Sequence, residues 1–281
     1  MTERALEYWG RKVARLPGAG SLLVSTDLQG NWGDYQALKA HRQPDELLLL
    51  VGDLVHGPGG WALERWPEYL GSPYVDRSRE LILDFEQLSL SEPVFALLGN
   101  HEHAHIGGPR VAKFHEDEAA VLDAALGDDA ARVHDFMRSF PLLAVGDGVV
   151  FVHGAPGATE ASLEDFERLR YDGYDSVRIR EMYGRDTLAD LLWSRCASTD
   201  QALDLLEACT GRREGVVVYG HDVVRSGFEA EDAHQLCLST SFGLFDPHKT
   251  MLRLDLGRPI RSVQDLEEGL LPLYPELKDA R

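Results

Sequence analysis

The chain has 281 residues and a formal net charge of −19. Hydrophobic residues make up 44% of it and charged residues 27%, which is the balance of a globular protein with an ample core. A surface this acidic repels phosphate backbones at long range and disfavours a nucleic-acid scaffold. It does not exclude a phosphorylated substrate, because a bound metal ion can reverse the field locally.

The sequence also indicates the cellular compartment in which the protein is expected. No apolar run approaches the roughly 20 residues needed to cross a bilayer. The N-terminal segment mixes charged and apolar residues and lacks the apolar core of a secretion signal. The 3 cysteines show no C-x-x-C spacing, and an odd count argues against a disulfide framework. We therefore expect a cytoplasmic protein with reduced thiols and no membrane association.

Strand and helix patterns alternate along the first half of the chain. The predicted strands are 21–27, 46–53 and 93–102, and the predicted helices are 34–42, 78–90 and 114–140. Residues 141–154 read as two strands joined by a turn at 146–148. Residues 158–210 are mainly helical, and strands return at 215–222, 228–230, 234–241 and 250–256.

This order predicts an α/β protein with either one mixed sheet or two packed sheets. We expect a single domain over 1–281. It would contain a mainly helical insertion near 158–210 and a polar surface tail after 256.

Small and polar residues follow five of the predicted strands. They are Asp27, Gln29 and Asn31; Asp53 and His56; Asn100, His101, Glu102 and His103; His153; and His221 with Asp222. Taken singly, Asp27 or Asp53 could cap a helix, and His153 could be a satisfied core histidine. Ligands of open α/β sheets gather outside the carboxyl ends of strands, so the recurrence predicts one polar cleft.

The order of these motifs resembles the calcineurin-like metallophosphoesterase superfamily, and within it the phosphoprotein-phosphatase branch. The family pattern is D-x-H-G, G-D-x-x-D-R-G, G-N-H-E, H-G and G-H. Here the motifs stand as 27–30, 52–57, 99–102, 153–154 and 220–221. The segment DLLWS at 190–194 and the valine at 223 also resemble that branch. The resemblance spans about Leu22 to Leu256.

The resemblance implies two packed mixed β-sheets flanked by helices, with a two-metal site at one edge. Asp27, Gln29 and Asp53 would hold the first metal. Asp53, Asn100, His153 and His221 would hold the second, with Asp53 bridging the two. His101 would donate a proton to the leaving group, oriented by a nearby carboxylate. Such a donor set suits divalent Mn, Fe or Zn.

Three residues depart from the family pattern. Gln29 replaces a histidine, and an amide oxygen favours Mn or Mg over Zn. His56 replaces the aspartate that orients the proton donor, and two adjacent histidines would lower each other's pKa. Glu102 and Asp222 are alternative substitutes. Gly57 replaces the arginine that clamps phosphate.

The substrate side of the site is less well defined by sequence. Arg195 is the candidate phosphate clamp and Arg110 an alternative that reads as a surface charge. His56, Asn100 and Phe242 complete the predicted substrate-binding set, with Phe245 as an alternative to Phe242. His103, His105 and His115 alternate along a predicted loop and are left out of the metal set.

The expected activity is that of a Ser/Thr-phosphatase-like phosphomonoesterase, which attacks a phosphate ester in line with metal-activated water. Its substrate would be a phosphorylated small molecule or a phosphoprotein. A Mn-dependent nucleotide diphosphatase or a phosphodiesterase is an alternative. A further alternative is a catalytically degenerate binding or scaffold protein on the same fold, because Gln29, His56 and Gly57 depart from the family pattern.

Overall fold

The computed structural model of the chain describes residues 8–59 and 65–277. Its strands are β1 (Val13–Arg15), β2 (Ser21–Ser25), β3 (Leu47–Leu50), β4 (Val94–Ala96), β5 (Leu143–Gly146), β6 (Val149–Val152), β7 (Val216–Tyr219), β8 (Phe228–Ala230), β9 (Gln235–Leu238), β10 (Thr250–Asp255) and β11 (Leu270–Pro272). Its α-helices are α1 (Trp32–His41), α2 (Ser78–Ser89), α3 (Asn100–Ile106), α4 (Glu118–Leu126), α5 (Ala130–Arg138), α6 (Leu163–Glu167), α7 (Thr187–Trp193) and α8 (Thr199–Thr210).

The strands form two mixed sheets. The larger has the order β1-β5-β6-β7-β9-β8, and the smaller has the order β11-β10-β2-β3-β4. Strands β2, β3 and β4 are mutually parallel in the smaller sheet, and β6 and β7 are parallel neighbours in the larger. The predicted α/β class with two packed mixed sheets flanked by helices is confirmed.

Alternation along the strands explains why their leucine runs are buried on both faces. In β3, Leu47 and Leu49 belong to the core that lies between the two sheets. Leu48 and Leu50 point the other way and pack in the core formed with helices. Successive side chains of a strand point to opposite faces, so an uninterrupted apolar run marks a strand covered on both sides.

Most predicted elements are present with shorter bounds. The hairpin predicted at 141–154 is confirmed as β5 and β6, which pair antiparallel. The long helical pattern at 114–140 divides into α4 and α5, because a short 3-10 turn at Gly127–Asp129 separates them. A glycine with positive φ ends α4 at that point.

The histidine-rich segment after β4 corrects one expectation. It lies in helix α3 rather than in a surface loop, and both His103 and His105 are buried. The His103 ring lies 2.7 Å from the carbonyl oxygen of Tyr171. Burial lowers the pKa of His103 to about 4, so this ring is neutral and structural near pH 7.

The helical and C-terminal segments pack against the sheets. Helix α8 has a capping box at Ser198 and Gln201 and ends at Gly211, which adopts a left-handed conformation. After residue 256 the chain still contributes β11, which pairs with β10, and the side chains of Val263 and Leu266 are buried. Within the described residues, no helix is long and apolar enough to span a membrane.

A buried ion pair connects helix α1 to the segment before β10. The Lys249 ammonium lies 2.7 Å from Asp34 Oδ2 and 2.8 Å from Asp246 Oδ1, and the Lys249 and Asp34 side chains are each only 2% exposed. Asn31 and Tyr274 also donate hydrogen bonds to the Asp34 carboxylate. Such a pair stabilises the fold only while both charges are present.

We expect Lys249→Met to lower the free energy of unfolding by about 3–5 kcal/mol, because it leaves the Asp34 charge buried and unpaired. Urea denaturation measures the change. Lys39→Met is the matched control, since Lys39 makes an equally short contact with Asp84 at partly exposed positions. The control should change stability by less than about 1 kcal/mol. Equal losses in the two variants would contradict the role of the buried pair.

Candidate metal centre

The predicted ligands follow the carboxyl ends of three parallel strands of the smaller sheet and two parallel strands of the larger sheet. Asp27, Asp53 and Asn100 follow β2, β3 and β4 of the smaller sheet. His153 and His221 follow β6 and β7 of the larger sheet. Hydrogen bonds join these ends across the sheets: the His221 amide donates to Asp27 Oδ2 at 3.1 Å. Residues 194 positions apart in the chain are therefore in contact at this edge of the sheets.

The backbone is strained at this edge. Among the described residues, the non-glycine residues with positive φ are Asp27, Gln29, Asp45, Asp53, His56 and His221. All except Asp45 belong to the predicted site. This conformation disfavours L side chains, and it persists where surrounding structure enforces it, which is typical of functional sites.

Glycines allow the close approach of the strand ends. Gly52 has a φ of +76°, and a Cβ there would lie 2.7 Å from both Gly99 Cα and His153 Nδ1. A Cβ on Gly99 would overlap the Asp53 amide nitrogen and Asp53 Oδ1. The glycines of G-D and G-N-H-E are therefore required because backbone occupies the space of a side chain.

Asp53 is the central side chain of the cluster. Its Oδ1 accepts a hydrogen bond from the His101 amide at 3.1 Å and lies 3.3 Å from His153 Nε2. His153 Nε2 is also 3.0 Å from Asn100 Oδ1 and 3.2 Å from His221 Nδ1. Ligand atoms of Asp53, His153 and His221 all lie within 4.8 Å of one another. Three of the predicted ligands thus meet the spacing of a metal site.

The tautomer of His153 is fixed by its outer contact. His153 Nδ1 donates to the Val51 carbonyl oxygen at 2.9 Å. With one proton held there, Nε2 is the nitrogen that faces the cluster, and a bound cation would take the place of its proton. A backbone carbonyl on the second nitrogen is the usual support of a metal-ligating histidine.

Two buried polar atoms of the cluster lack a hydrogen-bond partner among the described residues: Gln29 Oε1 and His221 Nε2. Leaving such atoms unpaired is destabilising, and buried polar groups are almost always satisfied. Divalent ions would satisfy both, and a set of carboxylate, amide and imidazole donors suits Mn, Fe, Zn or Mg. The residues present therefore fit the two-metal centre that the family pattern implies.

The electrostatics of the cluster show a shortage of positive charge. Burial raises the pKa of Asp27 to about 7, and the nearby Asp53 charge adds to the effect. Burial opposes charge on His153 as well, but the Asp53 carboxylate outweighs it and raises the His153 pKa to about 9. Protons are retained here because the buried carboxylates need cations, which bound metal ions would supply.

His101 lies beside the cluster with a carboxylate behind it. Its Nε2 is 3.7 Å from Asp53 Oδ2, and its Nδ1 is 3.3 Å from Glu118 Oε2. Burial disfavours the charged ring, but Asp53 and Glu118 outweigh burial and raise the His101 pKa. Glu118 was not predicted from sequence. It sits in an acidic helix start, where nothing in the one-dimensional pattern distinguishes it from Glu116 or Asp117.

The two carboxylates considered for this position have other partners. Glu102 accepts hydrogen bonds from the backbone amides of Gly99, Asp53, Leu54 and Val55. It therefore holds the loop that carries Asp53. Asp222 lies 2.6 Å from Arg195 Nη1.

His56 lies behind His101 rather than in the cleft. Its Nδ1 is 3.0 Å from His101 Nδ1, and its Nε2 is 2.8 Å from His105 Nε2. Burial together with these two rings lowers the pKa of His56 well below its usual value. The expectation that the two histidines lower each other's pKa therefore holds for His56 and is wrong for His101, whose pKa the carboxylates raise. Gly57 cannot carry the family's arginine, because a Cβ there would lie 2.5 Å from the Gln29 carbonyl oxygen.

A cavity of about 240 Å³ opens over the cluster. Its lining includes Arg195, Tyr183 and Lys113 in addition to four of the predicted ligands, Gln29, Asp53, Asn100 and His221. Lys113, which sequence reasoning missed, is exposed, and its ammonium lies 3.7 Å from the Phe242 ring centroid. The Phe242 ring is buried and is not among the cavity-lining side chains. Arg110 lies at the surface beside Asp117.

The fold and this cluster of buried carboxylate and imidazole donors define a metallophosphoesterase. The sequence profile described as calcineurin-like phosphoesterase matches residues 20–239, and the chain belongs to that family. It is accordingly a hydrolase that acts on phosphate esters.

Solved structures show the same fold. One is a protein serine/threonine phosphatase from Saccharomyces cerevisiae, with a TM-score of 0.57 and 15% identity over 91% of this chain and 81% of that chain. Another is a cold-active protein-tyrosine phosphatase of a psychrophilic Shewanella species, with a TM-score of 0.57 and 14% identity over 90% of this chain and 80% of that chain. Comparison with curated protein sequences gives no match.

We expect Gly99→Ala to displace Asp53 and to weaken Mn²⁺ binding, because the added methyl group overlaps the Asp53 backbone and carboxylate. Overpacking of this kind lowers stability by about 1–3 kcal/mol. Calorimetric Mn²⁺ titration and urea unfolding in a chelator measure the two effects. Gly18→Ala is the control, since no atom lies within 4 Å of a Cβ there. Unchanged Mn²⁺ affinity in Gly99→Ala would refute the close-approach argument.

Proposed function

We propose that the protein is a metal-dependent, Ser/Thr-phosphatase-like phosphomonoesterase. The observation that carries this proposal is the convergence of Asp27, Gln29, Asp53, Asn100, His153 and His221 from two sheets, with partnerless polar atoms on Gln29 and His221. Because both sheets supply ligands, we also propose that the two sheets belong to a single catalytic domain.

Asp27, Gln29 and Asp53 would hold one divalent ion, and Asp53, Asn100, His153 and His221 the other. When bound, the pair would supply Lewis-acid stabilisation of the phosphoryl oxygens and a more acidic attacking water. We propose Mn²⁺ as the preferred ion, because the amide oxygen of Gln29 favours a hard cation over Zn²⁺.

His101 would protonate the leaving group. Water attacks phosphorus as the bond to the ester oxygen breaks, and His101 Nε2 gives its proton to that oxygen, releasing inorganic phosphate and an alcohol. The Glu118 carboxylate, 3.3 Å from Nδ1, would stabilise the charged ring and fix its orientation. We therefore assign to Glu118, in this proposal, the positioning role that the sequence left open between Glu102 and Asp222.

Two cations border the cavity and would bind substrate phosphate. Arg195 is held at the rim by Asp222, and Lys113 lies against Phe242. Neither replaces the family's arginine at position 57, where no side chain fits. A cavity of about 240 Å³ with these cations at its edge also favours small esters, such as nucleotides. A Mn-dependent nucleotide diphosphatase is therefore the second candidate function.

Asp53→Asn should abolish Mn²⁺-stimulated hydrolysis of an aryl phosphate, because it removes the charge shared by both ion positions. Asp147→Asn is the control, since Asp147 is a surface residue of a hairpin turn. A parallel screen of phosphopeptides, phosphorylated metabolites and dinucleotides separates the two candidates. The proposal would be refuted if the metal-loaded protein hydrolysed no mono-, di- or pyrophosphate ester. Absence of Mn²⁺ binding would favour a catalytically degenerate scaffold protein.

His101→Asn should lower kcat by about 10²–10⁴-fold on an alkyl phosphate such as a phosphoserine peptide. The loss should be smaller on 4-nitrophenyl phosphate, whose leaving group needs no proton. Glu118→Gln should show the same dependence on the leaving group with a smaller loss, whereas exposed Glu116→Gln should show none. Equal losses on both substrates would rule out proton donation by His101.

A further inference from the structure

A second group of metal-type side chains lies outside the candidate centre, where three helices meet. His105 of α3, Asp123 of α4 and His134 of α5 form this group, which we call the helical cluster. Asp123 Oδ1 lies 2.9 Å from His105 Nδ1 and 2.7 Å from His134 Nε2. The two ring nitrogens are 3.3 Å apart. Both imidazoles therefore point at the same carboxylate oxygen.

The helical cluster is buried on the side of His105 and open to solvent on the side of Asp123 and His134. The His105 side chain is fully buried, whereas the Asp123 and His134 side chains are 29% and 25% exposed. A cation could enter from solvent past Asp123 and His134 and reach His105 at the base. The open side leaves room for water as a further ligand.

The second ring nitrogen of His105 has a hydrogen-bond partner outside the helical cluster. Its Nε2 lies 2.8 Å from His56 Nε2, and one of these two nitrogens must carry the hydrogen. With a cation in place of the proton on Nδ1, the remaining proton of His105 would lie on Nε2 and be donated to His56. Metal-ligating histidines usually donate a hydrogen bond from their second nitrogen in this way.

We propose that His105 Nδ1, Asp123 Oδ1 and His134 Nε2 form an additional divalent-cation site that takes Zn²⁺, with water as the fourth ligand. Zinc ligands lie about 2.0–2.1 Å from the ion, so tetrahedral ligand atoms are about 3.3 Å apart. The two imidazole nitrogens already have that separation. The separations of the carboxylate oxygen from the two nitrogens, 2.9 and 2.7 Å, would have to increase by about 0.4 and 0.6 Å.

Zn²⁺ at the helical cluster would tie α3, α4 and α5 together. Helix α3 begins with Asn100 and His101, and His56 bridges His105 to His101. The site would thus brace the helix that carries the proposed proton donor. The inference does not depend on the catalytic proposal, because none of its three ligands belongs to the candidate metal centre.

The test is the zinc content of the full-length protein after equilibrium dialysis against Zn²⁺, measured by elemental analysis. His134→Ala should hold one zinc ion per chain fewer than the wild type, and Asp123→Asn should behave in the same way. Asp135→Ala, one residue along α5 with an 80% exposed side chain, is the matched control and should keep the wild-type content. Equal zinc content in wild type and both ligand variants would overturn the proposal.

The same variants in an Asp53→Asn background separate the two sites. Even if the candidate metal centre of the Asp53→Asn protein binds no metal, adding His134→Ala should still remove one zinc ion per chain. Thermal unfolding gives a second readout, since a ligand that binds only the folded state raises Tm. Relative to each protein's own Tm in a chelator, Zn²⁺ should raise Tm more in Asp53→Asn than in Asp53→Asn with His134→Ala. An identical zinc-induced shift in both proteins would contradict a site at the helical cluster.

Discussion

The arrangement of the site depends on one constraint: the Asp53 carboxylate is buried where two sheets meet, and it must be surrounded by positive or hydrogen-bonding groups. Burial would raise its pKa, but His153 and His101 outweigh burial and hold the pKa well below its usual value. Removing a charge from water is unfavourable unless such partners are fixed in place. The strand ends supply those partners from both sheets.

Fixing Asp53 requires support from the backbone around it. Glu102 accepts four backbone hydrogen bonds from the segments that follow β3 and β4. Gly52 and Gly99 let those loops approach closely, and Asp53 itself adopts a positive φ. A carboxylate that serves two ions must be held rigidly, since a shift at one ion position changes the other. The strained backbone is consistent with that requirement.

The histidines form a second layer behind the centre. His101, His56 and His105 are linked ring to ring from the candidate metal centre to the helical cluster. Their order follows from helix α3, which places His101 and His105 four positions apart and therefore on one face. His56, which departs from the family pattern, and the buried His105 are thus parts of one packed unit.

The sequence by itself determined the fold class, the order of strands and helices, and the identity of the residues at the strand ends. Those features are local: apolar periodicity and small residues at turns do not depend on distant parts of the chain. Only the tertiary structure decided that Glu118 rather than Glu102 or Asp222 lies behind His101, and that Lys113 borders the cavity. It also decided that His105, Asp123 and His134 meet. These contacts join side chains on different helices and loops, whose relative positions are set by packing of the whole core.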